Sequence, residues 1–227
     1  MVLHRIRELV RPIVPRRLRV TANRALFSAV GLALKGNGVR CPCCGRSYRH
    51  FVSYPSEYCP NCGSYERQRL LCLFLDRRPH LVAGDVLQVG PERSITDRYR
   101  TRATSWLAVD VDPANPLADR TMDVRSLDLA DATFDLVLCA HVLDIVEPHD
   151  QGVAELRRVT RADGTVLIQA PWRSVKGMPG VYAERLEAAG FDVVPELLEE
   201  QQDEAERRRF GLDSEDPIFI CRPKQAG

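Results

Sequence analysis

The sequence has no apolar run that would cross a membrane. A mostly apolar stretch near the N-terminus, Ala25 to Leu34, spans ten residues, whereas a transmembrane helix needs about 20. No small-residue cleavage site follows this stretch, as it would in a secretory signal. Low-complexity tracts are also absent, and the apolar and charged contents of 44% and 28% are ordinary for a globular chain. We therefore expect a soluble, cytoplasmic protein with a buried core, and we exclude collagen-like, coiled-coil and wholly disordered chains.

Acidic residues are scarce in the first forty positions. Glu8 is the only acid there, against nine Lys and Arg residues, although the whole chain of 227 residues has a net charge of +1. A basic N-terminal segment followed by an acidic remainder of the chain predicts an anionic partner, such as nucleic acid, lipid headgroups or an anionic glycan. Contact between this basic helical segment, residues 1–39, and the protein's own acidic remainder is an equally good interpretation.

Four of the eight cysteines belong to two copies of one short pattern. Cys41-Pro-Cys-Cys44-Gly and Cys59-Pro-Asn-Cys62-Gly both follow C-P-x-C-G. The two-residue gap lets both thiolates of a copy reach one ion, and the glycine permits the positive φ that turns the chain around it. The fourteen residues between Cys44 and Cys59 are enough to complete a tetrahedral site. We predict a structural zinc ion held by these four cysteines within a ribbon of residues 40–64.

Disulfide bonds and a redox dithiol are the alternatives to zinc. No secretory signal indicates an oxidising compartment, and a redox site does not need two matched copies. Cys43 could replace Cys44 as a ligand, but only Cys44 reproduces the spacing of the second copy. Cys72, Cys139 and Cys221 lie in apolar runs and are predicted to be buried packing residues.

After the ribbon, strands and helices alternate along the chain. Residues 65–80 are predicted to form a connecting helix, and residues 81–227 a second domain. Nearly continuous apolar runs, such as Phe134 to Ala140, indicate strands buried on both faces of a parallel sheet. We predict a doubly wound, Rossmann-like α/β fold with a mostly parallel sheet. Its strands are expected at 85–89, 106–110, 121–124, 134–140, 165–170, 191–194 and 217–221, and its helices at 93–101, 150–161 and 179–189.

The ends of the first strands carry the informative residues. In such sheets, ligands bind beyond the carboxyl ends of the strands, where the strand order reverses. Asp110 ends the second strand, about 20 residues after the first turn, and an acid at that place can accept hydrogen bonds from both ribose hydroxyls of an adenosine cofactor.

From the ribbon onward, the sequence resembles class I S-adenosylmethionine-dependent methyltransferases (methyltransferase type 11-like) of the bacterial kind with an N-terminal cysteine ribbon. The resemblance covers about residues 38–222. It rests on CPCCG, CPNCGSYERQRLL, DVLQVGPE, WLAVDVDP, MDVRSLDLADATFDLVLCAHVLD, ELRRVTRADGTVLIQAP and RLEAAGF. It implies a methyltransferase with S-adenosylmethionine as its cofactor. It also implies the places of the cofactor-binding residues: Gly90 in the methionine-binding loop, Asp110 at the ribose, Asp123 at the adenine, and Cys139, Ala140 and His141 beneath the methyl group.

Two features depart from that family pattern. The usual methionine-binding loop carries several glycines, whereas Pro91, Glu92 and Arg93 follow Gly90 here. Glu92 would either contact the ammonium group of the cofactor or fill the pocket. The stretch between Pro171 and Tyr182 is also shorter than the substrate-facing segment of related chains.

His141 is the candidate general base, because it follows the fourth strand and titrates near neutral pH. A histidine that only orders its loop is the alternative.

In the helix after the ribbon, Glu66, Arg67 and Arg69 could clamp a phosphate or carboxylate of the substrate, or could join the ribbon to the next domain through ion pairs.

The combined features predict a methyltransferase acting on a small molecule, a sugar or a cell-envelope intermediate. RNA methylation is a second hypothesis, in which the ribbon and the basic segment would grip phosphates. The sequence lacks the basic stretch interleaved with aromatic residues that would favour it. A third hypothesis is a binding or scaffold protein that has kept the fold without turnover.

Overall fold

The computed structural model describes residues 29–53, 57–147, 149–170, 179–196, 203–212 and 216–224. Most of the predicted basic segment 1–39 therefore lies outside the described residues, as does most of the short stretch between Pro171 and Tyr182. Within that segment, residues 29–33 are helical. No helix among the described ranges is long and apolar enough to cross a membrane.

The ribbon consists of two small antiparallel pairs of strands. Strand β1 (Lys35–Arg40) pairs with β2 (Ser47–Tyr48), and β3 (Val52–Ser53) pairs with β4 (Glu57–Tyr58). The first C-P-x-C-G turn connects β1 to β2, and the second follows β4. Both turns therefore lie at the ends of strands.

A seven-stranded sheet forms the centre of the molecule. Its spatial order is β10-β11-β9-β8-β5-β6-β7, in which β11 alone is antiparallel to its neighbours. The order reverses between β5 and β8, so the carboxyl ends of these two strands open a crevice. The strands are β5 (Asp85–Val89), β6 (Ser105–Asp110), β7 (Arg120–Thr121), β8 (Phe134–Ala140), β9 (Thr160–Gln169), β10 (Phe191–Glu196) and β11 (Ile218–Pro223).

Helices cover both faces of the sheet. Helices α1 (Glu66–Arg77) and α2 (Arg93–Tyr99) share one hydrophobic cluster with the ribbon and one face of the sheet. Helices α3 (His149–Val159) and α4 (Pro179–Ala188) pack on the opposite face. A last helix, α5 (Glu204–Phe210), lies next to β1 of the ribbon. Because one cluster includes both Phe51 of the ribbon and Leu136 of the sheet, the ribbon is packed onto the α/β domain.

The predicted fold class is confirmed: the structure has a mostly parallel sheet with helices on both faces. Strands β5 and β8 have the predicted bounds. The strand expected at 121–124 is wrong in extent, because regular pairing ends at Thr121 and Asp123 instead bridges Ser126 in a turn. The strand expected at 165–170 begins earlier, because Thr160 already pairs with Phe134.

Candidate functional site

The side chains of Cys41, Cys44, Cys59 and Cys62 converge on one point. Their sulfur atoms all lie within 4.8 Å of one another, and the Cys41–Cys62 and Cys44–Cys59 Sγ distances are both 3.7 Å. Zinc–sulfur bonds of about 2.3 Å in a tetrahedron place neighbouring sulfurs about 3.8 Å apart. The four thiols therefore have the spacing that a tetrahedral zinc ion requires.

The backbone repeats the same turn at both copies of the cysteine pattern. The amide of Gly45 donates to the Cys41 carbonyl and that of Gly63 to the Cys59 carbonyl, at 2.8 and 2.9 Å. Both glycines have positive φ, 73° and 72°, as the sequence predicted. Each turn thus brings its two thiols to the same side of the chain.

Cys43 has a different environment from its neighbours in the ribbon. Its sulfur lies 3.0 Å from that of Cys72 on α1, and both side chains are buried. It is not a member of the four-cysteine cluster. Cys72, Cys139 and Cys221 are buried in the core, as predicted.

A cleft of about 540 Å³ opens at the carboxyl ends of β5, β6 and β8, a size within the ordinary range for small-molecule sites. Five of the predicted site residues line it: Gly90, Glu92, Asp110, Asp123 and His141. The side chain of Cys139 is 1% exposed and packs in the core, while the neighbouring Ala140 lines the cleft. Contact between Cys139 and a cofactor stays a prediction.

Gly90 begins the turn from β5 to α2 in a conformation that glycine favours. Its φ is +66°, and a Cβ atom at this position would lie 2.5 Å from Cγ2 of Val142. The single glycine of the loop therefore stands where the chain has no room for a side chain. Pro91 and Glu92 then lead directly into α2, without further glycines.

Asp110 ends β6 at the opposite wall of the cleft. Its two carboxylate oxygens accept hydrogen bonds from the backbone N–H of Asp112 and from Nδ2 of Asn115, at 2.9 and 2.6 Å. These bonds fix the orientation of the carboxylate. A carboxylate has about four acceptor positions, so Asp110 retains capacity for further hydrogen-bond donors.

Asp123 is held by Arg125, a residue that the sequence reasoning did not select. The guanidinium donates to both carboxylate oxygens, with an Nη2–Oδ2 distance of 2.6 Å, and Nη1 donates to the Glu147 carbonyl at 2.5 Å. The Arg125 side chain and backbone amide lower the pKa of Asp123 to about 2. Asp123 is therefore ionised and fixed in place. The sequence signal for this ion pair was the position of Arg125 two residues after Asp123.

Glu92 connects the cleft to the helix that follows the ribbon. Its Oε1 accepts from Nη2 of Arg67 at 2.8 Å and also from Nε2 of Gln68. Gln68 in turn accepts a hydrogen bond from the backbone N–H of Tyr65 at the start of α1. The first turn of α1 thus forms part of the cleft wall.

His141 follows β8 with a φ of +55°, which few non-glycine residues adopt. Its backbone amide donates to the Gln169 carbonyl at 2.8 Å. Burial, followed by the positive charge of Arg67, lowers the pKa of His141 below 6.5. The imidazole is therefore neutral near pH 7 and able to accept a proton.

Residues 87–168 match the methyltransferase domain family. The YcgJ protein from Bacillus subtilis is similar in structure, with 14% identity, a TM-score of 0.51 and coverage of 70% of this chain and 100% of that one. A SAM-dependent methyltransferase from Archaeoglobus fulgidus is 14% identical with a TM-score of 0.50, covering 68% and 93%. A TehB-like SAM-dependent methyltransferase from Corynebacterium glutamicum is 17% identical with a TM-score of 0.50, covering 67% and 86%. At these identities the structures establish likeness of fold. No curated protein sequence matches the chain.

Proposed function

We propose that this chain, whose residues 87–168 match the methyltransferase domain family, uses S-adenosylmethionine to methylate a small molecule, a sugar or a cell-envelope intermediate. The observation that carries the proposal is the cleft at the reversal point of the sheet, which combines Gly90, Asp110 and Asp123 on its walls. When bound, S-adenosylmethionine supplies an electrophilic methyl group on a sulfonium centre.

In this proposal four residues of the cleft have separate tasks. Asp110 accepts hydrogen bonds from the ribose hydroxyls, and Asp123 contacts the adenine. Gly90 leaves space for the methionine portion of the cofactor. Neutral His141 takes the proton from an oxygen or nitrogen acceptor. The protein otherwise orients the reactants and excludes water.

The charge of the cleft favours a small acceptor over RNA. Four carboxylates line it, against the two guanidinium groups of Arg67 and Arg125. A run of phosphates would be repelled by this excess of negative charge. The acid-rich cleft supports an acceptor that presents one hydroxyl or amine.

The test of the cofactor site is calorimetric titration of the zinc-loaded protein with S-adenosylhomocysteine. We expect binding by the wild type, and a loss of about 10- to 100-fold in Asp110→Ala, because charge-assisted hydrogen bonds are each worth about 1.5–3 kcal/mol. Asp112→Ala is the matched control, since this neighbouring acid is exposed and does not line the cleft. Absence of binding by the wild type would overturn the enzymatic proposal in favour of a scaffold, and equal losses in both variants would overturn the role of Asp110.

We also propose that the four-cysteine cluster binds one structural zinc ion. Four protein thiolates leave no coordination position for a substrate, so the ion holds the ribbon together and takes no part in the reaction. The cytoplasm, where thiols stay reduced, is the compartment that suits such a cluster.

Zinc content measured by mass spectrometry tests the metal. We expect one equivalent in the wild type and in Cys43→Ser, whose sulfur lies near Cys72, and loss of zinc in Cys44→Ser. Retention of zinc by Cys44→Ser together with its loss from Cys43→Ser would show that the ligands are assigned wrongly.

A further inference from the structure

Arg67 reaches the cleft from α1, the helix that follows the ribbon. Its side chain lines the cleft together with Gly90, Glu92 and His141. Its backbone carbonyl accepts a hydrogen bond from Nε2 of Gln169 at 3.1 Å, which ties the start of α1 to the carboxyl end of β9. The backbone of Arg67 is therefore held against the sheet by Gln169, and its guanidinium is held by Glu92.

The guanidinium of Arg67 has donors left over. One of its nitrogens, Nη2, donates to Glu92, while its Nε is buried and has no hydrogen-bond partner in the part of the chain that the structure describes. A guanidinium carries five N–H donors in a planar fork. A buried donor without a partner is destabilising, and a bound acceptor would remove that cost.

Arg125, the other guanidinium of the cleft, is already engaged. Its Nε, Nη1 and Nη2 all donate to Asp123 or to the Glu147 carbonyl. Of the two cleft arginines, Arg67 is therefore the one able to take a new anionic group. A carboxylate fits its fork, because the two oxygens match two parallel N–H groups.

Glu92 places a negative charge beside this positive one. Its Oε1 lies 2.8 Å from Nη2 of Arg67, and the side chains of Arg67 and Glu92 are 34% and 21% exposed. A carboxylate and a guanidinium side by side complement a ligand group that itself carries an ammonium and a carboxylate. The methionine end of S-adenosylmethionine is such a group, and Gly90 of the same cleft is the residue beside which it is expected.

We infer that Arg67 binds the carboxylate of the methionine portion of S-adenosylmethionine, so that the helix following the ribbon completes the cofactor site. This inference rests on the proposed function. It also gives a reason for the sparse glycine loop: recognition of the amino acid end comes from an arginine side chain on another element.

Calorimetry with two ligands and two proteins tests the inference. The ligands are S-adenosylmethionine and its decarboxylated form, and the proteins are the wild type and Arg67→Gln. We expect Arg67→Gln to weaken binding of S-adenosylmethionine by at least tenfold, and binding of the decarboxylated ligand by less than threefold. Arg77→Gln is the matched control on the same helix, because Arg77 has a similar exposure of 38% and pairs with Glu206 outside the cleft; it should change neither affinity.

The outcomes separate this inference from the proposed function. Suppose that the wild type binds both ligands. If Arg67→Gln then lowers the affinity for both ligands equally, or lowers the affinity for neither, the role of Arg67 is overturned while the cofactor site stands. If the wild type binds neither ligand, both proposals fail. Circular dichroism checks that each variant is folded. Arg67→Lys keeps the positive charge but lacks the planar pair of guanidinium N–H donors, so it should bind S-adenosylmethionine more tightly than Arg67→Gln and more weakly than the wild type.

Discussion

His141 joins the end of β8 to the cleft in a left-handed backbone conformation. Such a conformation costs about 1–3 kcal/mol in a residue other than glycine, and it persists only where the surrounding structure enforces it. Nε2 of this histidine is buried and has no hydrogen-bond partner within the described ranges, and its nearest acid oxygen, on Asp216, is 3.9 Å away. Strain and an unused ring nitrogen together favour a functional role over loop ordering.

The protonation state of His141 can be measured by NMR titration of the imidazole. Burial and Arg67 lower its pKa, and Asp216, Asp144 and Glu92 oppose them, so we expect a midpoint below pH 6.5. As the pH falls through this midpoint the ring becomes charged and can no longer accept a proton, so methyl transfer that needs this base should decline on the acid side. Arg67→Gln should raise the midpoint. A midpoint above pH 6.5 would contradict the prediction. The imidazole signal of His141 is assigned as the one that is absent from the spectrum of His141→Asn.

Gly90 gives a second prediction for a single residue. Gly90→Ala should lower the free energy of unfolding by about 1–3 kcal/mol, because alanine disfavours a positive φ and its Cβ would press on Val142. Urea unfolding measures the change. Adding Val142→Ala should recover part of the loss. Gly180→Ala is the control, since a Cβ there meets nothing within 4 Å, and equal stability of the two alanine variants would argue against a special conformation at Gly90.

At the scale of elements, Arg69 fastens α1 to the end of α5. Its side chain is fully buried and donates to the carbonyls of Phe210, Gly211 and Ser64 at 2.9, 2.6 and 3.1 Å. The guanidinium also lies 4.2 Å from the centre of the Phe51 ring. The sequence hypothesis that arginines join the ribbon to its neighbour is thus realised at Arg69 through carbonyl groups rather than through an acid.

Arg69→Met should destabilise the protein by about 3 kcal/mol, because hydrogen bonds from a charged group are worth about 1.5–3 kcal/mol and the three carbonyls lose their donor. Urea unfolding of the zinc-loaded protein measures this. Arg208→Met is the control, since Arg208 is 78% exposed and pairs with Glu204 on the surface of α5; it should change stability by less than about 0.5 kcal/mol. A cost for Arg69→Met no larger than for Arg208→Met would mean that the contacts of Arg69 contribute little.

Features that depend on neighbouring residues could be predicted from the sequence, whereas features that depend on contacts between distant residues could not. Strands such as Phe134–Ala140 could be predicted because their own residues form continuous apolar runs, and the cysteine ribbon because its spacing is local. Helix α5 was missed, since its burial pattern shows no fully buried residue and it gives little apolar periodicity. The sequence named Arg67 beside Glu66 and Arg69 as a possible clamp but could not tell which of the three lines the cleft, because that depends on contacts of Arg67 with Glu92 and Gln169, which are distant in the sequence.

At the scale of the whole molecule, one chain of contacts leads from the cysteine cluster to the cleft. The Ser64 hydroxyl lies 3.2 Å from the sulfurs of Cys41 and Cys62, and Ser64 directly precedes Tyr65, where α1 begins. Gln68 then binds both the Tyr65 amide and Glu92. The ribbon and the proposed cofactor cleft thus share the first turn of α1.

If the four cysteines bind zinc as proposed, its removal should weaken the proposed binding of S-adenosylmethionine. Without an ion to hold the thiols, Ser64 and the start of α1 lose their anchor, while the sheet keeps its own core. We expect chelator-treated, reduced protein to retain its far-ultraviolet circular dichroism and to bind S-adenosylmethionine about 5- to 150-fold more weakly, the usual range of coupling between two sites.

Coupling of this kind is reciprocal, so S-adenosylmethionine should raise the affinity for zinc by the same factor, measured by competition with a chromophoric chelator. Gln68→Leu, which removes the link to Glu92, should reduce both effects together. Equal cofactor affinity with and without zinc would show that the ribbon stabilises the protein independently of its cleft.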